Sequence, residues 1–280
     1  MYKIFISILF FLTPFIHANS QITESFVHQG EMGLSIGAGT YFGDLNNTTD
    51  LSHSKFAAGG FYSKQFNNYI GFKISGNYAF LGYSDRYSGN PVQRSRNLSF
   101  NTNVWELSVS GQFNFFKFYP GFPQYDFTPY VSLGIGAFSY DPYAYLNGQK
   151  YYLRPIGTEG QGSPLYPNLS PYKNVAVCFP IGIGFKKALN DRFNVFAELI
   201  YRFTTTKYLD DVSGTYAPDA FPPDANGNPS AGFLLQDRSY EVGSPIGVKG
   251  KQRGNGKNDS FATIQFGISF NIQSYRCPSF

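Results

Sequence analysis

Residues 261–272 read FATIQFGISFNI, and this stretch alternates between apolar side chains and polar or small ones. One face would carry Ala262, Ile264, Phe266, Ile268, Phe270 and Ile272, and the other Thr263, Gln265, Gly267, Ser269 and Asn271. A period of two places successive side chains on opposite faces of a strand. About 9–11 residues suffice for a tilted strand to cross a membrane with one face in lipid and the other in a polar lumen. The stretch therefore predicts a membrane-crossing strand.

Seven further segments follow the same rule, at residues 31–42, 54–66, 69–82, 100–115, 127–139, 175–187 and 193–205, although the faces of 54–66 are ambiguous. Charged residues make up 14% of the chain and aromatic residues 19%, against roughly 25% charged residues in soluble domains. Low charge and abundant aromatics are typical of barrels with lipid-facing girdles. We predict an all-β fold, a transmembrane antiparallel up-and-down β-barrel of about eight strands; a soluble β-sandwich is the alternative.

The connections between these segments differ in length. Residues 67–68 and 189–192 form tight turns, and residues 117–126 form a Pro- and aromatic-rich connection. Residues 83–99, 140–174 and 206–260 are long loops. Outer-membrane barrels have long extracellular loops and short periplasmic turns. We therefore expect both termini to lie in the periplasm.

The N-terminus has the parts of an export signal. Lys3 precedes an apolar run over residues 4–16, and Ala18-Asn19-Ser20 forms a small-x-small cleavage site. We predict a signal peptide at residues 1–20 and one barrel domain at residues 21–280, exported to the outer membrane.

Two cysteines remain after this segment, Cys178 and Cys277. An even count in an exported chain invites a disulfide. The expected topology places them near opposite faces of the membrane, so we predict two unpaired thiols.

Several charged residues fall on the predicted inward face, namely Lys73, Glu106, Glu198 and Arg202. An eight-stranded barrel is narrow enough for side chains to fill, and buried charges have to pair. We expect a salt-bridged lumen in which Glu198 and Arg202 pair with Lys73 or Glu106 on neighbouring strands rather than with each other. An ion or proton path is the alternative.

The sequence gives little support for catalysis or for a bound cofactor. Only His28 and His53 follow the signal peptide, and a Ser beside His53 in a loop is no catalytic dyad. Residues 224–228 resemble part of a calcium loop but lack the closing Glu. The net charge of +4 forms no basic stripe. We expect no enzyme activity, no cofactor, no metal, no small-molecule substrate and no nucleic-acid partner.

Four stretches together carry a family resemblance: Tyr41-Phe42-Gly43-Asp44-Leu45, Thr158-Glu159-Gly160-Gln161-Gly162, Tyr208-Leu209-Asp210-Asp211-Val212-Ser213 and Tyr275-Arg276-Cys277-Pro278-Ser279-Phe280. In that order they resemble PorG, the outer-membrane barrel family of the type IX secretion system of Bacteroidetes, which is also described as a domain of unknown function. The resemblance covers essentially the whole chain after the signal peptide. It departs at Ser279, where the family usually has Lys.

The resemblance implies a non-enzymatic part of the protein-secretion and gliding machinery. It would sit among outer-membrane lipids and associate with a periplasmic ring of a lipoprotein and its partner, PorK and PorN. A periplasmic partner reaches only the short turns and the termini, so the candidate contacts are Phe118, Tyr119, Phe122, Tyr125, Tyr275 and Phe280. Membership of the interfacial aromatic girdle is the alternative role for these side chains.

The carboxylates of the long loops have two interpretations. Glu159, Asp210 and Asp211 would order the loops by pairing with Arg154, Arg202 or Lys207, or they would meet a cargo or surface partner. Two other functions stay open for the whole chain: an OmpA-like surface barrel that binds ligands through its loops, and a lipid-modifying barrel enzyme.

Overall fold

The computed structural model describes residues 28–223 and 225–273. This part of the chain forms ten strands: β1 (His28–Phe42), β2 (Lys55–Gln65), β3 (Ile70–Ser84), β4 (Ser99–Asn114), β5 (Phe127–Ser139), β6 (Tyr143–Leu146), β7 (Gln149–Tyr152), β8 (Val175–Ala188), β9 (Phe193–Thr204) and β10 (Ser260–Gln273). Three short helices, Pro91–Arg96, Leu153–Ile156 and Ala231–Gln236, lie in the long loops.

Eight of these strands close into a barrel. Their order around the sheet is β3-β2-β1-β10-β9-β8-β5-β4, and β3 also pairs with β4. Every pairing in this ring is antiparallel. Closure gives the backbone amides of each strand partners on both sides, as a membrane requires. The predicted fold class is confirmed. Both ends of each predicted segment lie within three residues of the ends of the observed strand.

The two faces of each strand differ as the sequence predicts. On β10, Phe266 and Ile268 are 58% and 59% exposed, whereas Gln265 and Ser269 are buried. The structure also resolves the ambiguous β2, because Phe56 and Tyr62 are exposed on the outer face. An apolar exterior around a polar interior is the arrangement of a transmembrane β-barrel.

Aromatic rings help to fill the lumen. Phe61 and Phe196 meet there with ring centroids 5.3 Å apart. A Cβ at Gly33 would lie 2.5 Å from the Phe61 ring, and one at Gly267 would lie 2.5 Å from the Phe196 ring. Glycine at these two positions therefore makes room for the pair of rings.

The long loops fold back over one end of the barrel. Strands β6 and β7 form a hairpin within residues 140–174, and β6 pairs with β4 at Asn101 and Tyr143. The apolar core of the chain lies here, around buried Tyr41, Phe100 and Leu209. The sequence had indicated only irregular loops, because each of these elements is too short to show a period.

No helix within residues 28–223 or 225–273 is long and apolar enough to cross a membrane. The predicted signal peptide, Cys277, and the contact candidates Tyr275 and Phe280 lie outside the described residues.

Candidate functional site

The lumen is crossed by ion pairs between strands that are not neighbours. Lys73 on β3 donates hydrogen bonds to both carboxylate oxygens of Glu198 on β9, at 2.7 and 2.8 Å. Arg202 on β9 pairs through Nε with Glu106 on β4. All four side chains are buried, with Arg202 at 0% exposure. The four charged residues predicted for the lumen therefore pair across it, but the expectation that they pair between neighbouring strands was wrong, because the side chains span the lumen.

A third ion pair in the lumen was not predicted from the sequence. Lys186 on β8 lies 3.1 Å from Glu31 on β1, and both are buried. Asn194 and Ser269 donate two further hydrogen bonds to Glu31, at 3.0 and 3.2 Å. Glu31 precedes the outward Met32 and Lys186 follows the outward Phe185, and this alternation could have identified both charges as inward.

The three pairs carry equal numbers of positive and negative charges. Their groups are removed from water, and a lone buried charge would be strongly unfavourable. The guanidinium of Arg202 also lies 5.0 Å from the centroid of the Phe261 ring. The ring covers one face of the guanidinium. The arrangement holds opposite walls of the barrel together.

Arg253 organises the long loops. Its Nη1 lies 3.3 Å from Glu159 Oε1 and 3.8 Å from Asp211 Oδ2. It also donates to the carbonyl oxygens of Asp211 and Gln236, at 2.6 and 3.0 Å. One buried guanidinium thus joins three loop segments.

The partners expected for the loop carboxylates were wrong. Arg154 pairs with Asp141 at 3.1 Å, and Arg202 pairs in the lumen with Glu106. Lys207 packs against Tyr208, with Nζ 5.7 Å from the ring centroid. Arg253 replaces them because the fold brings it, together with the backbone amides of Ser213 and Gly214, against Glu159.

A second buried cluster joins the end of β1 to the loops. Tyr41 donates a hydrogen bond to Asp210 at 2.5 Å, and its hydroxyl lies 3.1 Å from Asp259. One phenolic hydroxyl carries a single proton, so it satisfies two ionised carboxylates poorly. Burial, then the charge of Asp259, raises the pKa of Asp210 well above its ordinary value, and burial likewise raises the pKa of Asp259.

Asp44 lies beside this cluster. Its Oδ1 accepts a hydrogen bond from the amide of Asn255 at 2.8 Å, while Oδ2 is buried without a partner among the described residues. Burial raises the pKa of Asp44 to about 6. Burial also raises the pKa of Asp211 to about 6. The loop cap, meaning the long loops with these buried carboxylates, therefore holds more acid groups than neighbouring cations neutralise.

The opposite end of the barrel carries the aromatic turn, residues 115–126. Phe122 and Tyr125 are 54% and 38% exposed, and the rings of Tyr119 and Phe122 lie 4.5 Å apart. Phe118 is only 1% exposed. Its prediction as a contact residue was wrong, because its ring points inward to within 4.6 Å of Lys186 Nζ.

The only described histidine side chain, that of His53, lies in a loop. Its Nδ1 is 2.9 Å from Ser52 Oγ and 3.0 Å from Asp50 Oδ2. A catalytic triad uses the two different ring nitrogens for the nucleophile and the acid, so this arrangement differs from a triad. Within the described residues, no group of three or more His, Cys, Asp or Glu side chains is placed to hold a metal ion.

The closed ring of strands, the apolar exterior and the charge-paired lumen define a transmembrane β-barrel of the outer-membrane type. Residues 3–155 match the family model described as Domain of unknown function (DUF6089), and the chain belongs to this family. A search of curated proteins gave no match.

Three solved structures illustrate the structural comparison. Neisserial surface protein A is 10% identical with a TM-score of 0.42, and the match covers 87% of this chain and 97% of that one. A major outer membrane protein from Thermus thermophilus is 11% identical with a TM-score of 0.40, covering 88% and 100%. The outer membrane protein OprG from Pseudomonas aeruginosa is 11% identical with a TM-score of 0.38, covering 89% and 99%.

Proposed function

We propose that this chain is a non-enzymatic outer-membrane component of a protein-secretion machine, with its long loops outside the cell and both termini in the periplasm. It would anchor a periplasmic ring formed by a lipoprotein and its partner, as the resemblance to PorG implies. The observation that carries the proposal is the exposed aromatic turn at the end of the barrel with the short connections, which a periplasmic partner would meet in the proposed orientation.

The filled lumen supports an interaction role over a diffusion role. The three ion pairs and the Phe61–Phe196 contact occupy the interior along its length. Solutes would have to displace buried, paired charges to pass, at a cost of several kcal/mol per ion.

The aromatic turn has the composition of a binding surface. Tyr and Phe are enriched at the centres of protein interfaces, where they bury large areas. Phe122 and Tyr125 project beyond the end of β4 and the start of β5 and are exposed. A protein partner would cover them and gain their apolar area.

A triple variant tests the contact. Tyr119→Ser, Phe122→Ser and Tyr125→Ser together should leave the barrel folded, judged by its heat-modifiable gel shift. They should reduce co-purification of the ring lipoprotein and its partner by about tenfold or more, as loss of interface aromatics does.

A matched control uses the other two turns at the same end. Phe66 and Leu189 are 63% and 61% exposed. The double variant Phe66→Ser with Leu189→Ser should co-purify the ring as the wild type does. Equal recovery of the ring by the triple variant and the wild type would reject the aromatic turn as the contact.

A surface barrel that binds ligands through its loops is the second candidate. It is favoured by exposed apolar side chains on ordered loops: Val92 is 71% exposed, Leu165 62% and Val248 65%. If Val92→Ser with Val248→Ser abolishes binding to a surface ligand while secretion is retained, this function replaces the first. Loss of function in His53→Ala would instead favour a lipid-modifying enzyme.

A further inference from the structure

A cavity of about 480 Å³ opens at the rim of the barrel beside β2, β3 and β4. The side chains of Lys55, Arg86 and Arg238 contribute its positive charge. Tyr87 and Tyr145 provide exposed rings, at 52% and 49% exposure. The cavity lies at the long-loop end, and its lining includes none of the lumen ion pairs, the buried carboxylates of the loop cap or the aromatic turn.

Aromatic rings on the outer face of the barrel indicate where the cavity lies relative to the membrane. Lys55 Nζ lies 4.4 Å from the centroid of Phe80, an outer-face residue of β3. Further along the outer face, Tyr78 and Trp105 pack with centroids 4.8 Å apart, and Trp105 is 63% exposed. Aromatic girdles mark the membrane–water interface. The ammonium of Lys55 therefore lies at the level of lipid headgroups.

The cations around the cavity outnumber their carboxylate partners. Within the described residues, Lys55 has no carboxylate within 4.0 Å, and its Nζ donates to Asn101 Oδ1 at 2.5 Å. Arg86 and Arg238 share one acid, Glu241, at 3.3 and 2.8 Å.

The neighbouring β6–β7 hairpin adds a further cation. Lys150 Nζ lies 3.8 Å from the Tyr143 ring centroid and donates to the Tyr152 hydroxyl at 3.0 Å. Asp50 pairs with His53, which lines the cavity. The lining itself contains three cations, Lys55, Arg86 and Arg238, and no carboxylate, so it is positive and an anion would complete it.

We propose that this cavity binds the phosphate of a phosphorylated glycolipid in the outer leaflet. Guanidinium and ammonium groups are the usual phosphate partners in proteins, and Arg adds paired hydrogen bonds. One face of Tyr87 stacks on His53, with ring centroids 3.6 Å apart. Its other face and the ring of Tyr145 suit the attached sugar, and the outer apolar wall below suits the acyl chains. The proposal rests on the orientation given above, with the long loops outside, and is independent of the periplasmic partner.

Binding of diphosphoryl lipid A to the full-length barrel in an uncharged detergent tests the proposal, with the dissociation constant as the readout. Lys55→Gln with Arg86→Gln should weaken binding by about tenfold or more, because two charge-assisted contacts are lost. The control is Lys64→Gln, since Lys64 is an exposed lysine of the same strand at the opposite end of the barrel. It should bind within about twofold of the wild type, as an isolated exposed charge contributes little.

A second binding experiment changes the lipid and uses only the wild-type protein. Fully dephosphorylated lipid A should bind the wild type at least about tenfold more weakly, because the phosphate contacts are missing. Equal binding of the two lipids, or unchanged binding by the double variant, would overturn the proposal.

Two other sources of phosphate are separated in the same assay. Inorganic phosphate that competes as strongly as lipid A would make this a soluble-anion site. Phosphatidylglycerol that binds as tightly, and is lost in the same double variant, would make it a glycerophospholipid site. Either result would overturn the glycolipid assignment.

Discussion

Lys73 and Glu198 face each other across the lumen, 125 residues apart in the chain, with Nζ at 2.7 and 2.8 Å from the two carboxylate oxygens. They belong to β3 and β9, which have three strands between them along the ring. The contact therefore exists only when the barrel is closed.

Removing one partner of this pair should be more harmful than removing both. Lys73→Met leaves Glu198 buried without its cation and should lower the free energy of unfolding by about 3–5 kcal/mol. The double variant Lys73→Met with Glu198→Met should lose less than either single variant. Urea titrations of the barrel in lipid vesicles measure the free energy of unfolding of each variant, with the heat-modifiable gel shift as the readout of folding. Additive losses would show that the pair is not energetically coupled.

Arg253→Met should loosen the loop cap without opening the barrel. Glu159 and Asp211 would lose the guanidinium that lies between them, and an uncompensated buried charge destabilises its surroundings by about 3–5 kcal/mol. Proteinase K should then cut residues 205–259 faster while the eight strands stay protected. Lys251→Met changes an exposed residue of the same loop and should leave the cleavage rate unchanged; equal rates in both variants would contradict the assignment.

The loop cap should be more stable in weak acid than in weak base. The pKa of Asp44 rises from 3.8 to about 6 in the folded protein, so the folded state binds the proton more tightly than the unfolded state does. The contribution of Asp44 to stability is therefore fully present below about pH 4 and is lost as the pH rises through about 6. Proteinase K should cut the loops more slowly at pH 5 than at pH 8.

Asp44→Asn should reduce this pH dependence and slow cleavage at pH 8, because the amide stays neutral. Asp219→Asn serves as the control, since the hydrogen bond from Lys249 lowers the pKa of exposed Asp219. It should keep the wild-type pH dependence. A pH-independent cleavage rate in the wild type would show that the buried carboxylates do not govern the cap.

Cys178 should be unreactive until the barrel unfolds. Its side chain is 0% exposed and its thiol is free. In a Cys277→Ser background, a maleimide-linked polymer should label the chain only after heating in detergent. Labelling of the folded protein at a comparable rate would place Cys178 in contact with water.

Cysteine labelling on intact cells checks the orientation. Ser244→Cys, in the exposed loop before β10, should react with a membrane-impermeant maleimide in the Cys277→Ser background. Leu189→Cys, on the short β8–β9 turn, should react only after the cells are opened. The reverse pattern would invert the proposed topology and exchange the partners available to each end.

The alternation of side chains predicted the barrel because lipid and lumen impose opposite demands on successive residues. It was harder to predict from the sequence which charged residues pair with each other inside the lumen. Glu31 and Lys186 lie on strands separated by β10 and β9, and register alone decides which inward residues meet. Lys73 and Glu198 could be named from the sequence because few charged residues face inward.

The loops show where sequence reasoning stopped. The role of Arg253 depends on contacts with Glu159 and Asp211, which are distant in the sequence, and no local pattern predicts those contacts. Phe118 belongs to an aromatic segment that the sequence predicts to be exposed. Its ring instead enters the end of the barrel beside Lys186. The C-terminal candidates Tyr275 and Phe280 lie beyond the described residues and stay predictions.

The position of Glu31 has a consequence for how the barrel closes. Glu31 lies opposite Asn271 where the first and last strands meet, and it is held by groups of β8, β9 and β10. A slip of one residue at this seam would turn the carboxylate toward acyl chains, where an unpaired charge is strongly disfavoured. The correctly aligned seam is therefore strongly favoured over one shifted by a residue, so a single acid helps to fix the register at which the barrel closes.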